Sequence, residues 1–129
     1  MIIRGVLNPN LLSLLARVRH TNTLVIADRG FPFWSGLETI DLSLVDGVPT
    51  VLQVLTAVRQ NHVITRAFMA EEFLRVNTVA TRDTWAAACV GFDLTYEPHA
   101  GFKARVPNAI GLIRTGDAVQ YANMILVSG

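Results

Sequence analysis

One cysteine among 129 residues excludes a disulfide framework within the chain. That residue, Cys89, lies inside the apolar run WAAACVGF, the setting of a buried thiol rather than a reactive one. Charge is scarce as well: Asp, Glu, Lys and Arg make up 16%, against roughly 25% in an average soluble protein. The net charge of +1, with Lys and Arg scattered, offers no basic stripe to neutralise phosphates, so no nucleic-acid partner is expected. Long apolar runs are missing too, since Arg, Asp, Asn or Gly cuts every stretch before the roughly 18 residues of a spanning helix. Membrane insertion is therefore not expected. The opening MIIRGVLNPN lacks the basic-then-apolar pattern of a signal peptide, which makes the cytoplasm the expected compartment.

Catalytic signatures are absent on the same scale. His20, His62 and His99 have no HExxH or paired spacing, so no metal site is expected. There is no GxGxxG or GxxxxGK[ST] loop for a nucleotide and no GxSxG elbow for a serine hydrolase. The adjacent Glu71 and Glu72 would point about 100° apart on a helix, as solvated residues do, rather than forming a carboxylate pair.

What is present is apolar. Hydrophobic residues make up 51% and mean hydropathy is +0.39. Such a chain builds one domain over 1–129 and has apolar surface left to cover, which points to self-association.

The elements follow from local chemistry. Asn8 and Pro9 are a cap and first-turn proline, and Leu11, Leu14, Leu15 and Val18 then recur on one helical face, ending near His20. TLVIADRG is a β-branched run closed by a turn, a buried strand with Asp28 at its carboxyl end. TIDLSLV and HVITRAF read as further strands, and Val51, Leu52, Leu55 and Val58 mark a helix between them. Residues 69–89 are helical with a break at Asn77 and Thr78. FDLTYE is a strand, HAGFKARV a short helix or turn, and AIGLIRTG and NMILVS are the last strands. Alternating strands and helices predict an α/β domain with a mixed, partly parallel sheet.

Three polar clusters stand out. His20 and Asp28 flank TLVIA, and both could face one cleft at a strand end, although a helix-closing histidine and a turn-opening aspartate explain them as well. His99 and Lys103 are four apart in EPHAGFK and share a face if the segment is helical. Tyr121 and Asn123 stand just before the last strand, where ordinary surface and turn roles also fit. Phe31, Phe33 and Trp34 around Pro32 either fill core or wall a binding site on which a flat apolar ligand face could stack.

Taken together, GVLNPNLLSLLARVRHTNTLVIADRGFP, IDLSLVDGVP, HAGFK and IRTGDAVQYANMIL resemble the D-ribose pyranase and L-fucose mutarotase (RbsD/FucU) family. The HTN, HAGFK and YAN forms place the resemblance nearer the ribose-type branch. It implies a three-layer α/β/α fold and a cofactor-free mutarotase that interconverts pyranose and furanose forms of a free aldose, D-ribose first and L-fucose as an alternative. It also implies a ring-like homo-oligomer, typically a decamer, with sites between neighbouring subunits. His20 falls on the family's catalytic histidine, and Asp28, His99, Lys103, Tyr121 and Asn123 on its sugar-binding positions. Arg29, where the family has a small residue, and the bulky FPFW loop depart from its pattern and leave the sugar's identity open.

The chemistry suits these residues. Ring opening takes a proton from the anomeric hydroxyl and gives one to the ring oxygen, work for an imidazole whose ordinary pKa is about 6.5. Asp28 would orient either the imidazole or a sugar hydroxyl. His99 and Tyr121 would bind hydroxyls or relay protons, and Lys103 and Asn123 add hydrogen bonds for a polyol. Competing functions are a non-catalytic monosaccharide-binding or regulatory oligomer, an aldose-ketose isomerase, and a purely structural assembly protein.

Overall fold

The computed structural model describes residues 1–129. Asn8 caps the first helix, α1 (Pro9–Arg17), by accepting the Leu11 N–H at 2.9 Å, and Pro9 presets its first turn. The strand β1 (Thr23–Ala27) follows, then the three-residue β2 (Thr39–Asp41). TIDLSLV is thus a strand only at its start, because the Asp41 carboxylate accepts the Ser43 N–H at 2.9 Å and turns the chain. Thr50 and Gln53 form a reciprocal capping box for α2 (Val51–Arg59).

After β3 (Ile64–Ala70), the helical stretch is broken where Asn77 and Thr78 stand, into α3 (Glu72–Val76) and α4 (Val79–Ala88). Thr78 caps α4 through the Thr81 N–H. The remainder is β4 (Asp93–Glu97), α5 (His99–Arg105), a 3-10 turn at Val106–Asn108, β5 (Gly111–Arg114) and β6 (Met124–Ser128). No helix is long and apolar enough to cross a membrane.

The strands form one sheet in the order β2-β5-β1-β6-β3-β4. β1 runs parallel to β5, as β5 does to β2 and β3 to β4, whereas β6 is antiparallel to both of its neighbours, β1 and β3. Five strands therefore share one direction and β6 alone opposes them. The mixed sheet expected from the sequence is present.

Side chains alternate across the sheet, as strand geometry requires. Leu24 and Ile26 of β1, Ile113 of β5 and Met124 and Leu126 of β6 join the cluster built with Leu14, Leu55, Phe73 and Trp85 from α1–α4. Val25 and Ala27, Leu112 and Ile125 point the other way, against Phe31, Phe102 and Val106. Helices on both faces make three layers, and each central strand is apolar on both sides, which explains the near-continuous TLVIA and MILV runs. Cys89 is buried at the first interface, where burial pushes its thiol pKa up to about 11.

The direction of β6 decides what meets at the sheet's edge. The carboxyl ends of β1, β3, β4 and β5 lie along one edge, and the amino end of β6 lies there with them. Asp28, His99, Arg114 and Asn123, remote in sequence, become neighbours on that edge.

Candidate active site

A cleft of about 260 Å³ opens at this edge, where strand direction reverses between β1 and β6. One wall is Asp28, Gly30, Phe31 and Pro32; the other is His99, Gln120, Tyr121 and Asn123. It is a little smaller than the roughly 300–1,000 Å³ of drug-sized sites, the scale of a small polar ligand.

Asn123, 4% exposed, immediately precedes β6, and its Oδ1 accepts the Asp28 N–H at 2.7 Å. That bond ties the two central strands at their cleft ends. The Asp28 carboxylate accepts the Gly30 N–H at 3.0 Å, so its turn role is real. Burial pushes its carboxyl above the usual carboxylate range, while the Gly30 and Phe31 N–H groups, the Asn123 side chain and the Arg114 charge pull the other way.

His99 opens α5, its backbone N–H donating to the Glu72 carboxylate at 3.0 Å. Its ring stacks on Phe102 at 6.0 Å and meets Phe31 and Tyr121 edge-on at 6.4 and 5.1 Å. Burial, then the Lys103 charge, holds this imidazole below its ordinary pKa, against the opposing pull of Glu72 and Asp28. A neutral ring carries one donor and one acceptor nitrogen, and Nδ1 is buried with no partner in the chain. Lys103 lies one turn along the same helix.

Tyr121 adopts φ +56, a left-handed conformation that costs a bulky residue on the order of 1–3 kcal/mol. Its loop is pinned from two sides. Asn77, at the helix break, donates to the Gln120 carbonyl at 2.9 Å. Asp117, 3% exposed, accepts the Val119 N–H at 2.9 Å and the Val51 N–H, at the start of α2, at 2.8 Å. Strain persists where surrounding bonds fix it.

His20 is elsewhere. α1 ends at Arg17, and the carbonyls of its last turn are taken by Arg19, which donates to Ala16 at 2.6 Å, and by His62, 3.1 Å from the Leu15 carbonyl. His20 therefore neither closes the helix nor faces the same cleft as Asp28: it precedes β1, whose five residues span about 16 Å at roughly 3.3 Å each. It sits exposed in a turn at the opposite edge. In that turn the Asn22 N–H donates to the Arg19 carbonyl at 3.0 Å and Thr21 takes φ +69. The Arg19 N–H donates to Asn22 Oδ1 at 2.8 Å and the Thr21 N–H to the Ser128 carbonyl at 2.9 Å. A β-branched residue at positive φ is rare, and here it is the neighbour of His20.

The structure thus gathers Asp28, His99, Tyr121 and Asn123, leaves Lys103 one turn along α5 and outside the cleft's lining, and sets His20 apart. Gly30 and Gln120, which the sequence does not single out, complete the walls with Phe31 and Pro32 of the aromatic loop. Phe31 is both core and wall, Phe33 is exposed, and Trp34 packs at the rim of the α5-side core. Gln120 had no signal of its own beyond standing next to Tyr121. Arg29, the unexpected cation, turns outward to Asp46 in an exposed 2.6 Å pair.

A model of the RbsD / FucU transport protein family matches residues 1–129. A D-ribose pyranase from Geobacillus kaustophilus is 43% identical over 125 residues, 97% of this chain and 91% of that protein. One from Bacillus cereus is 39% identical over 125 residues, covering 97% and 95%. The structure of Bacillus subtilis RbsD complexed with D-ribose matches at TM-score 0.90 and 31% identity, over 100% of this chain and 98% of that one. A fucose mutarotase in complex with L-fucose from Streptococcus pneumoniae matches at TM-score 0.74 and 23% identity over 95% and 92%, a likeness of fold alone.

Proposed function

The chain belongs to the RbsD/FucU family, and from that premise we propose that it is a sugar mutarotase, an intramolecular isomerase interconverting pyranose and furanose forms of a free aldose, D-ribose first. The observation that carries this reading is the convergence of Asp28, His99, Tyr121 and Asn123 on one small cleft. The ribose complex of the Bacillus subtilis relative and the D-ribose pyranases at about 40% identity support the substrate class.

The reaction moves protons only. The anomeric hydroxyl loses its proton as the bond from the anomeric carbon to the ring oxygen breaks, that oxygen gains a proton, and the open aldehyde is closed again by another hydroxyl. No carbon-hydrogen bond is touched, and no cofactor enters. In this reading Asp28 accepts from a sugar hydroxyl, Asn123 and Lys103 donate, and neutral His99 and the Tyr121 hydroxyl serve as donor or acceptor.

His20 is the principal acid/base in this scheme, and it reaches the sugar from a second copy of the chain. Two observations support that arrangement. His20 is on the edge opposite its own cleft, exposed, on a turn braced to β6. In addition, Ile3, Leu7, Leu44 and Val45 are exposed, and Val6, Leu11, Leu42 and Val54 line an apolar groove between α1 and α2. Exposed apolar side chains and an apolar groove favour association. A closed ring of copies, a decamer in the family pattern, pairs every carboxyl edge with a neighbour's amino edge.

NMR saturation transfer between the ring-form signals of D-ribose tests the proposal, with L-fucose and other aldoses run beside it. Accelerated pyranose-furanose exchange is expected. Binding without acceleration would make the protein a sugar binder instead, and deuterium appearing at carbon would make it an aldose-ketose isomerase.

A further inference from the structure

Arg114 ends β5, and its guanidinium reaches sideways under the loop that follows β1. Nη1 donates to the Asp28 carbonyl at 3.0 Å and lies 3.5 Å from that of Arg29; Nη2 donates to the Pro32 carbonyl at 3.3 Å. All three acceptors belong to residues 28–32, which supply Asp28, Gly30, Phe31 and Pro32, one whole wall of the cleft. The contrast with Arg17, Arg29 and Arg105 is direct, since each of those pairs with a carboxylate at the surface. Arg114 makes no ion pair of that kind. Its hydrogen bonds go to loop backbone, and its charge favours the ionised forms of Asp28 and Asp41.

A planar fork can bridge carbonyls several residues apart in a way that a point-charge ammonium cannot. We propose that Arg114 is a positioning residue for sugar recognition: it fixes the Asp28–Pro32 wall and with it the place of the Asp28 carboxylate. This rests on the reading that Asp28 binds the sugar. The other ionisable groups around Asp28 are His99 of α5 and Tyr121 across the cleft; the carboxylate of Asp117 is turned to the Val51 and Val119 N–H groups and Arg29 is turned to Asp46.

The test compares Arg114→Met and Arg114→Lys in the full-length assembled protein, reading KM and kcat for ribose ring exchange against pH, thermal melts, and hydrogen exchange of amides 29–33. Arg114→Met is expected to raise KM by about 10- to 100-fold, as a misplaced binding group does, to shift the limb for Asp28 ionisation to higher pH, and to speed exchange in the loop. Arg114→Lys is expected to restore the pH limb and leave the KM raised. A folded Arg114→Met protein with wild-type KM, pH limb and loop exchange overturns the proposal, because a purely structural role would lower only the melting temperature and the active fraction. Absence of ring exchange in the wild type would sink the mutarotase reading instead; Arg114 is then judged by the loop's hydrogen exchange, which needs no sugar.

Discussion

The two ends of β1 are built on different plans. At its carboxyl end the chain closes a cleft around Asp28 from three separate segments, 28–32, His99 and 120–123, with Asp28 tied to Asn123 and to Arg114. At its amino end a single imidazole stands on a braced turn and faces solvent. A cleft made within one chain needs no partner to be ordered, whereas His20 stands exposed beside the left-handed Thr21, away from that cleft. On the proposed reading these are two half-sites of one chain, which assembly would unite.

The sharpest way to break this comparison is to damage the ends in separate chains. His20→Ala and Asp28→Asn are each expected to cut ring exchange by about 10²- to 10⁴-fold, with melting temperatures near that of the wild type. Unfolded and reassembled as a one-to-one mixture, they should recover activity, since random pairing around a ring leaves about a quarter of the sites with both ends intact. Activity that stays at the level of the separate variants would show that both residues serve within one chain or that one of them does not serve at all.

How much of this was legible beforehand divides along the same line. The elements were, because their signals are local: Asn8-Pro9 caps a helix, β-branched TLVIA makes a strand buried on both faces, and Asn77-Thr78 breaks a helical stretch. The candidate residues came from the family resemblance, each having an ordinary structural reading when taken alone. Their placement was not legible. Whether Tyr121 and Asn123 share an edge with Asp28 or with His20 depends on β6 running against its neighbours, and strand direction is a non-local property that periodicity does not encode. The pairing of His20 with Asp28 in one cleft of the same chain fails for a local reason instead: the strand TLVIA between them holds them at its opposite ends.

The carboxyl end also depends on its scaffold. A methyl added at Gly116 would be driven into the backbone carbonyls of Val45 and Val48, which have no side-chain freedom to yield. Gly116→Ala is therefore expected to cost about 1–3 kcal/mol or more, read as a lower urea midpoint, and to disturb the neighbouring Asp117. Stability unchanged by this substitution would mean that the loop at residues 44–48 is free to move away from the site.

The titration of the cleft separates the ends in a gentler way. The pKa of His99 is lowered in the folded protein, so the unfolded chain binds its proton more readily, and stability is lost as pH falls through the unfolded value of about 6.5 towards the lower folded one. Asp28 has the opposite sign: its raised pKa means that ionisation above the unfolded value of about 3.9 works against the fold. His99→Gln should flatten the pH dependence of the melting temperature as pH falls below about 6.5. Asp28→Asn should melt no lower than the wild type near neutral pH while losing sugar binding. A clear loss of stability in Asp28→Asn would assign the residue to the scaffold.

The smallest expected effect belongs to the amino end. Thr21 holds φ +69 beside His20, a position where glycine is unstrained. Left-handed backbone costs a non-glycine residue about 1–2 kcal/mol, and the chain-entropy cost of introducing glycine offsets about 0.4–1 kcal/mol of that, so Thr21→Gly should leave stability level or raise it by up to about 1.6 kcal/mol. Four bonds continue to brace the turn: Arg19 to Asn22 in both directions, the Thr21 N–H to the Ser128 carbonyl and the Ser128 N–H to the Asn22 carbonyl. What changes is the freedom of the residue that presents the imidazole. If the strain is kept because it aims His20 at a neighbour's cleft, turnover falls several-fold in a protein as stable as its parent, and KM, set at the other end of the strand, stays put. If turnover holds, the bracing bonds alone present His20 and the left-handed threonine has no part in it.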